Sequence, residues 1–146
     1  MNRAASVRPK ATKSRDSKKA SSEVAAAPAT EFEGEWQMIS GVMNGQPMSK
    51  SDVQWVKRVT RGNQTSVIAG PQVLMSMQFT HDPAASPKTI EYVHTAGASK
   101  GKTQYGIYEF EGDLLKVCAS APGEAQPGEF ESKPGDGRTF TVWRRV

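Results

Sequence analysis

Gly106-Ile-Tyr-Glu-Phe-Glu-Gly-Asp113 and the C-terminal Phe140-Thr-Val-Trp-Arg-Arg-Val146 decide how this chain is read. In the first, Gly106, Tyr108 and Phe110 alternate with Tyr105, Ile107 and Glu109, so an extended run carries apolar side chains on both faces. Part of it is covered from outside or lines an interior. The run ends at Glu111-Gly-Asp113, where Gly112 supplies the positive φ of a tight hairpin. Outward from these two stretches the texture is the same back to Glu31: short alternating runs cut by Gly, Pro, Asn and Asp, the pattern of strands and turns. Candidate strands span residues 35–42, 54–60, 65–70, 72–79, 88–94, 103–111, 113–120 and 138–145. Val73, Met75, Met77 and Phe79 share one face by period two, and Leu74, Ser76 and Gln78 the other.

Gly62-Asn63 and Gly70-Pro71 are short connections, so neighbours in sequence pair in space. Two longer segments interrupt this regularity: Asn44 to Val53, which admits a helical turn capped by Ser49 or Ser51, and Pro122 to Gly137, rich in Gly, Pro and charge. Neither an internal repeat nor a heptad pattern is present. Eight short antiparallel strands over residues 31–146 predict an all-β, eight-stranded antiparallel up-and-down barrel, because closure removes exposed edges. A β-sandwich is the alternative.

Charge separates the ends of the chain. Residues 1–30 hold Arg3, Arg8, Lys10, Lys13, Arg15, Lys18 and Lys19 against Asp16 and Glu23, a net +5, while the whole chain is +4. Residues 31–146 are therefore at −1, and the basic character belongs to the tail. With Val7 and Val24 its only sizeable apolar residues after Met1, the tail has little to bury against the entropy of ordering and is expected to be a disordered basic arm. Such an arm is either a solvated leader or a weak contact for a polyanion or an acidic protein. The chain contains no apolar run of membrane-spanning length and no secretory leader, which places it in the cytoplasm as an expectation. The single cysteine, Cys118, excludes an internal disulfide.

Glu33-Gly-Glu-Trp36 is similar to the Gly-x-Trp that opens the first strand of lipocalins and other calycins. More specifically, the chain from Gly34 to Arg145 resembles a small lipocalin-like domain family of uncharacterised function expanded in Planctomycetes. The resembling pieces are Gly34-Glu-Trp36, Asn44-Gly-Gln-Pro47, Lys100-Gly-Lys-Thr103, Gly106-Ile-Tyr-Glu109, Gly112-Asp-Leu-Leu-Lys-Val-Cys118, Pro122-Gly123, Pro127 and Glu129-Phe-Glu-Ser-Lys-Pro-Gly-Asp-Gly137. One departure is Gln126, where that family tends to carry Arg before the Pro; it weakens any anion site that depends on this loop position. Members of the family often carry an export signal, which this chain does not show. The resemblance implies a barrel closed at one end by Gly34 and Trp36, with Arg144 or Arg145 packed across the indole. Period two groups Arg144 with Phe140 and Val142, and Arg145 with Trp143, so an inward Phe140 favours Arg144.

No catalytic signature appears: no phosphate-cradling Gly-Lys-Ser loop, no Gly-x-Ser-x-Gly elbow, no His-Glu-x-x-His and no paired Cys-x-x-Cys. His81, in Thr80-His-Asp-Pro83, reads as an exposed turn residue, and His94 as a partly exposed strand end. Cys118 in Leu115-Lys-Val-Cys-Ala119 reads as a buried, inert thiol. Glu129, Glu131 and Asp136 match no calcium loop and read as a solvated acidic segment. Methionine adapts to varied shapes, so Met75 and Met77 with Tyr105, Ile107 and Tyr108 are the candidate lining of an apolar pocket. The expected function is a non-enzymatic binding module for a small apolar or amphipathic ligand, without metal or cofactor. The alternative is a protein-interaction domain with a filled barrel that acts through its loops or tail.

Overall fold

A computed structural model describes residues 30–146, so all but the last residue of the expected tail lies outside the described residues. The elements are β1 (Gly34–Met43), β2 (Gln46–Pro47), α1 (Lys50–Val53), β3 (Val56–Arg61), β4 (Gln64–Ala69), β5 (Gln72–Asp82), β6 (Thr89–Gly97), β7 (Thr103–Glu111), β8 (Leu114–Ala119) and β9 (Thr139–Arg145). Strands β1 and β3 to β9 pair in chain order, and β9 returns to β1, which closes an eight-stranded antiparallel barrel. The two-residue β2 is an added strand that pairs with the end of β1. The barrel and its eight expected strands are therefore present, and the sandwich is not. The tightest hairpins depend on a turn residue that permits them; Gly112, at φ 60, is the example between β7 and β8.

Between β2 and β3, Ser49 caps α1 by accepting a hydrogen bond from the Asp52 amide, and the helix buries Val53. No helix of the described residues is long and apolar enough to cross a membrane.

Three bulges alter the simple alternation, one of them at Thr95 of β6, between the Ser76–Ala96 and Met77–His94 pairs. Met38 pairs with Trp143 and Ser40 with Val142, leaving Ile39 as an extra residue on β1. Val67 pairs with Met75 but Ile68 with Val73, so Leu74 is the extra residue on β5. Val73 is thereby turned away from the face of Met75, Met77 and Phe79 and is 54% exposed, whereas Met77 is 3% exposed. The shared face expected for Val73 is corrected by that bulge.

Strand β7 resolves its two apolar faces in two ways. Tyr108 and Phe110 point into the barrel core with Leu115 and Val117 of β8. Ile107 points outward, pairs with Cys118, and Cys118 pairs with Phe140. The segment 120–138 covers this outer patch: Phe130 packs on Phe140 with ring centroids 6.2 Å apart, and the Gln126 side-chain amide donates to the Gly106 carbonyl at 2.8 Å. Ile107 is buried on the outside of the barrel, not within it.

Candidate functional site

One end of the barrel is sealed by aromatic rings. Phe32, just before β1, inserts edge-on among Phe79 (5.1 Å), His81 (5.0 Å), Tyr108 (4.9 Å) and Phe110 (5.0 Å), and its carbonyl accepts the Trp36 indole N–H at 3.0 Å. Arg145 locks this plug. Its guanidinium lies 4.1 Å from the Trp36 ring centroid and donates to the carbonyls of Glu33 (2.7 Å) and Glu31 (2.6 Å). Gly34, at φ 117, passes directly beneath, where a Cβ would sit 3.4 Å from an Arg145 nitrogen.

Arg144 faces outward to Asp113 at 3.8 Å. The preference for Arg144 depended on an inward Phe140, and Phe140 lies on the outer face with Phe130. Thr141, Trp143 and Arg145 form the inner face of β9.

His81 belongs to this plug, with its Nδ1 3.1 Å from the Tyr108 hydroxyl, and is not the exposed turn residue that its neighbours suggest. Burial, then the carboxylates of Glu31 and Asp82, push the Tyr108 phenol above the ordinary tyrosine value. The unfolded tyrosine ionises near its usual value of about 10 and the folded one higher, so the stability this group contributes is complete below about pH 10 and is lost as pH rises through the folded value. Tyr108→Phe is expected to flatten the alkaline fall in urea midpoint above about pH 10; an unchanged slope would contradict the assignment.

Next to this plug, where Trp36 pairs with Arg58 across β1 and β3, the interior changes chemistry. Arg58 is only 6% exposed, and its guanidinium carbon lies 4.7 Å from the Trp143 ring and 5.9 Å from that of Tyr92. One terminal nitrogen donates to the Tyr92 hydroxyl at 3.2 Å, while the buried Nε–H has no acceptor. Among the described residues no carboxylate forms an ion pair with it. Stacking on aromatic rings returns about 0.5–2 kcal/mol, whereas removing an unpaired cation from water costs several kcal/mol. The charge is thus undercompensated.

His94, two residues beyond Tyr92 on the same inner face of β6, is 4% exposed and not the partly exposed strand end expected. Its Nε2 meets the Gln104 carbonyl oxygen at 2.8 Å, and the Gln104 amide group donates to Ser120, which fixes the Gln orientation and makes Nε2 the donor. In that tautomer the buried Nδ1 is a bare acceptor without a partner. Met38, Met77 and Val53 of α1 belong to the same buried core, and Met48 and Met75 pack against it. Buried unpaired donors and acceptors are rare enough in folded proteins that two in one barrel interior require a cause.

The five candidate lining residues do not assemble into one pocket. Met77 and Tyr108 are inside the barrel, Met75 packs against that core from the rim, and Ile107 is under the outer loop. Tyr105 lies on the outer wall, where with Thr80, Asp82, Thr89, Glu91 and Gln126 it lines an acidic cleft of about 350 Å³ that also reaches His81 and Ile90. Period two already separates Tyr105 and Ile107 from Tyr108. The residues missed are Arg58 and His94. In Val56-Lys-Arg-Val-Thr60 either alternating set carries a cation, so the strand alone does not say which one is buried.

Cys118 is fully buried and its Sγ donates to the Glu131 carbonyl at 3.5 Å, with burial the main reason its thiol is pushed up. Asp136 folds its own loop by accepting from the amides of Lys133 and Arg138, which hold its carboxyl below the usual range. Among the described residues no group of His, Cys, Asp and Glu is placed to hold a metal ion.

The class defined by these features is a closed up-and-down β-barrel with one end plugged by aromatic rings and with two buried polar atoms, Arg58 Nε and His94 Nδ1, that lack partners. No protein-family model, no curated protein and no solved structure matches the chain.

Proposed function

We propose that the protein is a lipocalin-like, non-enzymatic binding module that admits a small amphipathic ligand into the barrel interior away from the Phe32 plug. The observation that carries this reading is the asymmetry of the interior. Interlocked rings surround Phe32 at one end, while beyond the Trp36–Arg58 pair the core combines Met38 and Met77 with the rings of Trp143 and Tyr92 and with two buried polar atoms that lack partners. Unbranched, three-torsion methionine side chains repack around an entering chain in a way that interlocked rings do not. The polar atoms then orient the ligand.

A neutral fluorescent apolar probe, N-phenyl-1-naphthylamine, tests the reading. It is expected to bind 1:1 in the micromolar range, with Met75→Trp at the rim weakening it at least tenfold and Tyr105→Ala on the outer wall leaving it unchanged. No saturable binding, or the reverse response of the two variants, would reject the chamber.

A second reading, docking of a macromolecule through the loops, draws on one observation. Trp55 is 63% exposed beside Gly70 in the β4–β5 turn, and Val73 and Leu74 at the start of β5 are exposed as well.

A further inference from the structure

We infer that the ligand is an amphipathic organic acid whose carboxylate pairs with Arg58 inside the barrel. The inference rests on the reading of the barrel as a ligand-binding module and names the chemical class that this chamber takes.

Arg58 is held ready for an anion. Its stem rises from the middle of β3, and the rings of Trp143 and Tyr92 fix the plane of the guanidinium from two sides. A guanidinium has five N–H donors and no means of losing its charge. One of those donors is used on the Tyr92 hydroxyl, and the Nε–H, on the edge suited to a paired carboxylate, is the one left without an acceptor. The Tyr92 oxygen accepts from Arg58, so the phenol's own proton is left to donate to a second ligand oxygen. An Arg N–H and a Tyr O–H converging from β3 and β6 make a two-point seat for one carboxylate.

The count of charges selects a monoanion. Arg58 is the only buried cation in the described core, and the buried histidine beside Tyr92 has its Nε–H committed to Gln104. One positive charge matches one carboxylate, whereas a doubly charged phosphate ester would bring a second negative charge with no partner. The surroundings supply the rest of the ligand's description. Val67 pairs with Arg58 across β3 and β4, and Met75 pairs with Val67 in turn, so the neighbouring core is apolar and the acid carries a hydrocarbon chain.

Displacement of bound N-phenyl-1-naphthylamine by octanoate, octanol and octyl phosphate at pH 7 tests this. Octanoate is expected to compete at least tenfold better than octanol in the wild-type protein, and the preference is expected to vanish in Arg58→Gln. The Arg58 Nε–H resonance of the wild-type protein provides a reading that needs no variant: it is expected to shift with octanoate and to stay in place with octanol.

Equal competition by octanoate and octanol would overturn the carboxylate assignment and leave the binding module standing. Tighter binding of octyl phosphate than of octanoate would overturn the monoanion argument. An Nε–H resonance that ignores octanoate would overturn the role of Arg58 even if Arg58→Gln does not fold. Failure of the naphthylamine probe itself to bind would reject the underlying module.

Discussion

Trp36→Ala is expected to destabilise the domain by about 3–5 kcal/mol, the usual cost of removing a large aromatic from a core. The indole is 1% exposed, its N–H is spent on the Phe32 carbonyl, and one face is covered by Arg145. Removing it opens the end of the barrel and frees the plug together with its guanidinium clamp. Denaturant melts of a double-mutant cycle are expected to couple Trp36 with Arg145 by about 0.5–2 kcal/mol and to find Arg144 additive with it. Coupling to Arg144 in place of Arg145 would mean that the inner face of β9 has been assigned wrongly.

Phe32→Ala is expected to cost a similar amount, about 3–5 kcal/mol, although Phe32 lies outside every strand. Four rings surround it at 4.9–5.1 Å and its side chain is 3% exposed. Phe32→Leu, which keeps apolar volume but not ring edges, is expected to recover more than half of the loss. A Phe32→Ala protein as stable as the wild type would show that residues before β1 do not belong to the folded unit.

The strands were readable because each buries one face, so alternation and turn residues report the same register that the barrel adopts. The closing role of Trp36 came instead from the resemblance of Glu33-Gly-Glu-Trp36 to the Gly-x-Trp of lipocalins, because alternation says only that the ring is buried. What escaped depends on local insertions and on contacts remote in sequence. Val73 departs from its alternation because Leu74 bulges, and no residue type announces a bulge there. Ile107 looks like barrel lining until the segment 120–138 folds over it from outside.

Phe32 stands between Glu31 and Glu33, a setting that reads as surface, and becomes core only when β5 and β7 bring their rings to it. Arg58 is the strongest case. A cation in an alternating strand is ordinarily solvated, and its burial follows from Val56 and Thr60 facing the same interior, which closure of the whole barrel alone decides.

The proposed binding module takes its ligand away from the Phe32 plug, so the place where a bound molecule sits tests the account most directly. Intermolecular nuclear Overhauser effects from N-phenyl-1-naphthylamine are expected to reach the methyl groups of Met75 and Met77 and the ring of Tyr92. Contacts to Tyr105 and Glu91 on the outer wall, with none to either methionine, would contradict it.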